Sequence, residues 1–206
     1  DRLGRYQAAM ALEPHDRIPI ATGSNYFAET YKGNTKQQVL DDPETWLESE
    51  IKFCQDFPEV DVLRNNRIFG PMYDALYVRT YKLPGRSLSP DTQFQFVEQD
   101  YMKEDEYDAL LSDPAGFMVD IILPRVLGEM ENRGTGRSYV AMLKGGFAQM
   151  LLGGVMRNRT MTLEQKCGMP QPMAGAFLAP FDALADALRG MTGTFMDMFR
   201  QPDKVL

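Results

Sequence analysis

A short apolar run between two prolines constrains the fold of this chain more than any other feature. The run is Met173–Leu178, and Pro172 and Pro180 lie on either side of it. Its length suits a buried strand of a parallel sheet, and the prolines mark both of its ends.

Asp182 is positioned to cap a following helix, whose apolar residues recur at helical spacing. Strand, corner and helix form half of a βαβ unit, in which ligands bind beyond the carboxyl end of the strand. A corner that only packs is the alternative.

Composition narrows the classes of protein to which the chain can belong. Its 206 residues suffice for one sizeable core, and its net charge of -7 argues against nucleic-acid binding, which needs a basic surface. No apolar run approaches the roughly 18 residues of a membrane span and no signal-peptide pattern is found, so no membrane partner is expected. Two cysteines and one histidine make neither a disulfide framework nor a zinc site. We therefore expect no metal within this chain, and a reducing cytoplasm as its compartment.

A polar segment follows the first predicted strand. Arg17–Ala21 predicts that strand, and a loop over residues 22–26 comes directly after it. Because they follow the carboxyl end of a strand, Thr22, Asn25 and Tyr26 are candidate substrate contacts. Gly, Ser and Asn also favour turns, so a plain turn is the alternative.

A helix is predicted between the first two strands. Asp42 and Pro43 are typical of a helix start, with Asp42 as the cap and Pro43 in the first helical position. Pro58 ends this helix. Cys54 falls on the apolar face, so we interpret it as a buried thiol rather than a nucleophile.

The second predicted strand, Val60–Arg64, ends in a polar, cationic cluster. Arg64, Asn65 and Asn66 are therefore candidate substrate contacts, and with Asp182 they complete the predicted substrate end. Such a cluster suits an anion or an amide, and the alternative is that it caps a turn.

Residues 69–99 interrupt the alternation of strands and helices. They contain proline and glycine turn signals and many aromatic residues, and Tyr77–Tyr81 alternates as a hairpin strand does. An insertion of this length is often a lid or an oligomer contact. Helices are then predicted over Asp105–Ser112, from Asp113 onward, and over Tyr139–Val155.

The predicted fold class is α/β, the first part of a (β/α)8 TIM-type barrel with an insertion after the second strand. About three parallel strands are predicted, whereas a closed barrel needs eight over about 250 residues. Residues 1–206 are thus expected to be the amino-terminal portion of a single barrel domain, with 69–99 as an insertion or lid. An open sheet edge invites pairing, so we expect either a longer chain or a homo-oligomer. The predicted core consists of Val62, Phe147, Leu151, Phe177, Leu184, Leu188 and Phe195.

Several segments resemble the uroporphyrinogen decarboxylase superfamily. They are PHDRIPI at residues 14–20, MAGAFLAPFDAL at 173–184 and RQPDKVL at 200–206. The segment Glu98–Phe117, EQDYMKEDEYDALLSDPAGF, is similar to the divergent branch of corrinoid-linked methyltransferases and demethylases. The resemblance covers most of the chain. It implies a distorted (β/α)8 barrel whose site lies at the carboxyl ends of the strands.

Three positions depart from the decarboxylases themselves. Aligned on Pro19, the loop that carries two substrate-binding arginines in that family falls on residues 24–28, SNYFA, which hold no arginine. The place of a key aspartate falls on Asn66 or Arg67, and the place of a tyrosine falls on Asp186. A polyanionic tetrapyrrole needs cations for its carboxylates, so these departures favour the methyltransferase branch.

The resemblance therefore implies a small-molecule substrate and methyl transfer or demethylation with a corrinoid protein. That branch uses zinc to activate a thiol or to polarise a methyl donor, and its His and Cys ligands are expected beyond Leu206. Binding of zinc and of a corrinoid would thus require ligands in that later part of the protein. Two alternatives stay open. One is a uroporphyrinogen III carboxy-lyase in which Arg64 and Arg67 bind the carboxylates, and the other is a non-catalytic binding module.

Overall fold

A computed structural model describes residues 1–23, 26–64, 68–170 and 178–205. The chain divides into two compact units. The first unit comprises Asp1–Met72, Leu83–Phe94 and Gly146–Ala174, and the second comprises Tyr73–Lys82, Gln95–Gly145 and Gly175–Leu206.

Helices predominate over short strands. The strands are β1 (Ala21–Thr22), β2 (Val62–Leu63), β3 (Tyr81–Lys82) and β4 (Gln95–Phe96). The α-helices are α1 (Arg2–Met10), α2 (Phe27–Lys32), α3 (Lys36–Asp41), α4 (Pro43–Asp56), α5 (Gly70–Leu76), α6 (Tyr107–Ser112), α7 (Pro114–Phe117), α8 (Leu123–Val126), α9 (Gly136–Cys167), α10 (Pro180–Asp182), α11 (Met191–Arg200) and α12 (Pro202–Val205). Single π-helical stretches span Met118–Ile122 and Ala183–Leu188, and a 3₁₀ turn spans Gly128–Met130.

A βαβ arrangement organises the first unit. β1 pairs with β2 in parallel, with Ala21 opposite Val62 and Thr22 opposite Leu63. The helices α2, α3 and α4 form the crossover between them. The second predicted strand and the helical connection are therefore confirmed, whereas β1 shares only Ala21 with the predicted strand Arg17–Ala21. The broad α/β prediction holds, and the first part of a TIM-type barrel stays a prediction.

The helix α4 begins and ends as its sequence predicts. The Asp42 carboxylate accepts a hydrogen bond from the Glu44 N–H at 2.9 Å, and Pro43 occupies the first turn, where its missing N–H costs nothing. Phe53 and Cys54 on this helix join a buried apolar cluster with Leu63. A second cluster contains Tyr26, Val39 and Trp46.

The second unit has its own apolar core. Six buried side chains form it: Tyr101, Met102, Tyr107, Phe117, Ile122 and Leu188. Within the predicted insertion, β3 and β4 pair antiparallel, with Tyr81 opposite Phe96. Only Tyr81 of the predicted strand Tyr77–Tyr81 lies in this pair, because Tyr77 adopts a positive φ of 50° and Val78 bridges to Leu127 instead. The Asp113 carboxylate accepts a hydrogen bond from the Gly116 N–H and caps α7, as its position before Pro114 predicts.

The helix α9 is longer than predicted and more exposed. It runs for 32 residues, and its segment Gly136–Gly145 belongs to the second unit. Phe147 is 58% exposed and Leu151 is 48% exposed, so their predicted burial is wrong. Among the described residues, α9 is the one helix long and apolar enough to cross a membrane, and 17% of its most apolar 18-residue segment is buried. A single helix of this kind is weak evidence for a membrane span, because core helices of other proteins are also long and apolar.

The helix after the Pro180 corner also differs from the prediction. It is broken at Gly190, which adopts a left-handed φ of 75° that favours glycine. In α11 the buried residues are Gly193, Thr194 and Asp197, so the predicted burial of Phe195 is wrong. The physical reason is that this helix turns a polar face inward, where its aspartate is paired.

The other residues predicted to form the core are buried, half-buried or outside the described residues. Val62 and Leu188 are buried, as predicted, and Leu184 is half-buried against the core of the second unit. Phe177 lies outside the described residues. So does the predicted third strand Met173–Leu178, apart from Leu178, which is exposed and belongs to no strand.

Candidate functional site

The carboxyl end of the β1–β2 pair brings two of the predicted contacts together. The Arg64 N–H donates to the Thr22 carbonyl oxygen at 2.8 Å, which extends the parallel ladder by one bond. The Thr22 side chain is half-buried, whereas Arg64 is exposed. The Arg64 guanidinium forms no ion pair within the part of the chain that the structure describes. This edge of the first unit therefore brings the Thr22 and Arg64 backbones together and leaves the Arg64 side chain exposed.

Tyr26 is buried and packs in the core of the first unit. Its ring meets Phe94 edge-on, with centroids 6.3 Å apart, and the Lys36 ammonium lies 5.9 Å from the ring centroid. Its carbonyl oxygen accepts hydrogen bonds from the backbone and the hydroxyl of Thr30 at the start of α2. Tyr26 thus anchors the beginning of that helix.

The remaining predicted contacts are placed differently. Asn25, Asn65 and Asn66 lie outside the described residues. Asp182 is exposed and belongs to the second unit. The predicted capping role of Asp182 is wrong, because α10 begins at Pro180 with Ala179 as its cap, which places Asp182 inside the first turn. An acidic residue there still suits the helix dipole.

The amino end of the same strand pair holds a charged cluster that the sequence did not predict. The Asp61 carboxylate is fully buried and accepts from Arg5 at 2.6 Å, from Arg17 at 2.5 Å and from the Ile20 N–H at 2.9 Å. Burial opposes its ionisation, but the Ile20 N–H and the Arg17 and Arg5 guanidinium groups hold the pKa of Asp61 below its ordinary value. Arg5 also binds both oxygens of Asp16. This cluster ties α1 to the start of both strands.

A second buried ion pair lies in the first unit. Arg159 donates through Nε and Nη2 to the two carboxylate oxygens of Glu50, at 2.5 and 2.9 Å. The guanidinium carbon lies 5.2 Å from the Trp46 ring centroid. A bidentate pair stacked on an indole compensates part of the cost of removing two charges from water.

A third cluster lies in the second unit. The fully buried Asp197 carboxylate accepts from Arg189 Nε at 2.6 Å and from the Tyr107 hydroxyl at 3.1 Å, and Arg189 also donates to Asp100 at 2.8 Å. Burial and the neighbouring Asp197 carboxylate raise the pKa of Tyr107 to about 12, so its hydroxyl stays protonated and donates. No sequence motif marks this cluster, because Tyr107 lies 90 positions from Asp197.

The second unit also carries an open cleft of about 480 Å³. Asp74, Glu129, Arg137 and Lys144 line it with apolar residues of α9. Arg137 binds both oxygens of Glu129 at 2.5 Å, and this pairing, with the Lys144 charge, lowers the pKa of Glu129. None of the described predicted contacts lines this cleft.

Within residues 1–23, 26–64, 68–170 and 178–205, no three His, Cys, Asp or Glu side chains are grouped so that they could hold a metal ion. The described residues therefore do not fit a zinc ion.

Comparisons with protein-family models, with curated proteins and with solved structures gave no match to this chain. The family resemblance consequently rests on the sequence motifs alone.

Proposed function

We propose that this chain is a uroporphyrinogen decarboxylase-like enzyme that acts on a small molecule in methyl transfer or demethylation with a corrinoid partner. The single observation that carries the proposal is the parallel β1–β2 pair with its helical crossover, which is how a (β/α)8 barrel begins. In such barrels the substrate binds at the carboxyl ends of the strands, where Thr22 and Arg64 meet.

The distribution of arginines supports methyl transfer over decarboxylation. Arg5 and Arg17, which flank β1 on its amino-terminal side, are both bound to Asp61 at the amino end of the strands. Of the described arginines, Arg64 is the one that directly follows a strand's carboxyl end in this pair. One cation suits a neutral or singly charged substrate better than a polycarboxylate, whose charges each need a partner.

The proposal assigns separate tasks to the chain and to its partner. A corrinoid, when bound, supplies or accepts the methyl group. Arg64 would bind an anionic group of the substrate by charge-assisted hydrogen bonds, and the Thr22 hydroxyl would orient a neighbouring polar group. Asn25, Asn65 and Asn66 remain proposed contacts of that substrate, and Asp182 remains a proposed substrate contact of the second unit.

The test is an activity comparison on the full-length gene product. We expect the protein to demethylate methylcobalamin in the presence of a thiol acceptor, followed by the change in corrinoid absorbance, and to leave uroporphyrinogen III unchanged. Arg64→Met should raise KM for an anionic substrate by about tenfold or more, because a charge-assisted hydrogen bond is lost. Arg157→Met is the matched control, since Arg157 is an exposed arginine on α9, and its kinetics should equal those of the parent.

The outcomes distinguish a methyltransferase from a carboxy-lyase and from a non-catalytic binding module. Carbon dioxide release from uroporphyrinogen would replace the proposal with a carboxy-lyase. Turnover of neither substrate, with the fold intact by circular dichroism, would leave a non-catalytic binding module.

The proposal also includes self-association. Phe147 and Met150 of α9 are 58% and 64% exposed, and large apolar side chains at this exposure are typical of a surface that another molecule covers. Sedimentation velocity should report a mass above the 23.4 kDa of one chain. A monodisperse monomer at micromolar concentration would contradict this part of the proposal without touching the enzymatic one.

A further inference from the structure

The two cysteines of this chain meet at the ends of two helices in the first unit. Cys54 lies in the last turn of α4, and Cys167 is the last residue of α9. One guanidinium joins the two helix ends: Arg2 donates through Nη2 to the Cys54 carbonyl at 2.7 Å and through Nη1 to the Cys167 carbonyl at 2.8 Å. The same Nη2 also donates to the Phe57 carbonyl at 3.1 Å. The last carbonyls of a helix lack partners within the helix, so this cation satisfies them and holds the two cysteine backbones together.

The side chains of this pair share one apolar cluster. Cys54 is 1% exposed and belongs to the buried cluster that contains Leu163 and Met169, and Cys167 packs against that cluster from its half-buried position. Each thiol also influences the pKa of the other. Both are free in this structure. The sequence places 112 residues between them, so only the tertiary fold makes them neighbours.

We propose that Cys54 and Cys167 form a reversible dithiol–disulfide site that a low-molecular-mass disulfide closes. The two cysteines belong to one apolar cluster and their backbone carbonyls are bound by one cation, so the fold brings them together as an intramolecular disulfide requires. This inference is independent of the proposed enzymatic function.

The reaction is a pair of thiol–disulfide exchanges. Cys167 is the more exposed thiol, so it loses its proton and attacks one sulfur of oxidised glutathione, which breaks the glutathione disulfide and releases one glutathione thiolate. Cys54 then loses its proton and attacks the Cys167 sulfur, which expels the second glutathione thiolate and forms the Cys54–Cys167 bond. Both thiolates take up protons, so two protein thiols are oxidised while one glutathione disulfide is reduced to two thiols.

The local electrostatics set the order and the speed of these steps. Burial raises the pKa of Cys54 to about 12, with Cys167 and Glu50 adding to the effect, so Cys54 does not react first. Burial also raises the pKa of Cys167, although the Cys54 thiol and the Arg2 and Lys166 charges oppose that rise. The attacking species is the thiolate, so we expect slow closure at neutral pH and faster closure as pH rises.

The experiment equilibrates the reduced protein with glutathione redox buffers, alkylates the remaining thiols and measures the intact mass. We expect the folded protein to lose two hydrogen atoms without retaining glutathione and without forming a disulfide-linked dimer. The same equilibration in urea provides the reference, and the folded chain should favour the disulfide by at least about tenfold over the unfolded chain, because its thiols are preorganised.

Variants test the assigned roles. In Cys54→Ala the glutathione adduct on Cys167 should persist, since no second thiol removes it, whereas in Cys167→Ala the buried Cys54 should stay unmodified. Arg2→Met should reduce the preference for the disulfide by about tenfold, and Arg157→Met should not change it. The proposal is overturned if the parent protein accumulates the Cys167 adduct while Cys54 stays reduced. It is equally overturned if the folded and urea-unfolded chains reach the same equilibrium, a comparison that needs no variant to fold.

Discussion

Arg159 on α9 binds both carboxylate oxygens of Glu50 on α4, and the two side chains are 4% and 0% exposed. The pair joins two helices that are separated in sequence by more than 100 residues. Such a pair contributes little net stability when it is complete, but either charge alone in that site is costly.

The first prediction concerns this pair. Glu50→Gln should lower the free energy of unfolding by about 3–5 kcal/mol, because it leaves the Arg159 guanidinium buried without its counter-charge. The double variant Glu50→Leu with Arg159→Met should lose clearly less than the sum of the single changes. Asp56→Asn is the control on the same helix, since the Lys52–Asp56 pair is exposed and should cost under about 1 kcal/mol. Urea unfolding measures the parent, these variants and the two single changes that make up the double variant, and equal losses at Glu50 and Asp56 would contradict the buried pair.

The second prediction uses two apolar residues of α9. Leu163 is fully buried, so Leu163→Ala should cost about 2–5 kcal/mol through lost burial and a residual cavity. Phe147→Ala should change the free energy of unfolding by less than about 1 kcal/mol, because the ring is mostly exposed and alanine is the better helix former. Denaturant unfolding at a concentration where the protein is monomeric provides the measurement. A large loss at Phe147 would mean that this face is covered.

The third prediction concerns pH. Hydrogen bonds from Arg125 hold the pKa of Glu106 at about 2, below its ordinary value of 4.5. A depressed folded-state pKa means that this contribution to stability is complete above about pH 4.5 and is lost as pH falls toward 2. The free energy of unfolding should therefore decrease over that window. In Glu106→Gln the decrease should be smaller, and a parallel decrease in both proteins would rule out this carboxylate as a source.

The fourth prediction concerns the cap of α4. Asp42→Ala should cost about 0.5–2 kcal/mol, because the Glu44 N–H and the Thr45 hydroxyl lose their acceptor. Asp42→Asn keeps an acceptor oxygen and should retain most of the stability. Thermal unfolding followed by circular dichroism distinguishes the two. Equal losses from alanine and asparagine would show that the negative charge, rather than the hydrogen bond, stabilises this helix end.

Local features of this protein could be predicted from sequence because they depend on neighbouring residues. The caps Asp42 and Asp113 and the end of α4 before Pro58 are each specified by a few adjacent residues. The strand β2 was predicted in the right place, although its hydrogen-bonded length is shorter, whereas β1 shares only Ala21 with the predicted strand. For the candidate site, the adjacency of Thr22 and Arg64 follows from the parallel pairing that the sequence predicts.

The apolar spacing of the helices led to wrong predictions of which side chains are buried. Phe147, Leu151 and Phe195 recur at helical spacing with other apolar residues, and that spacing indicates an apolar face without showing whether anything covers it. In α11 the inward face instead carries Asp197, because Arg189 and Tyr107 are there to bind it.

The sequence by itself determined where α4 and α7 begin, that β2 is a strand, and that a helix precedes it. These outcomes depend on capping groups, prolines and spacing within a few residues. Only the tertiary structure decided which charges are buried together and that Cys54 lies against Cys167. The physical reason is that a buried ion pair or thiol contact joins residues about 40 to 110 positions apart, and the chain must fold before either partner has a neighbour.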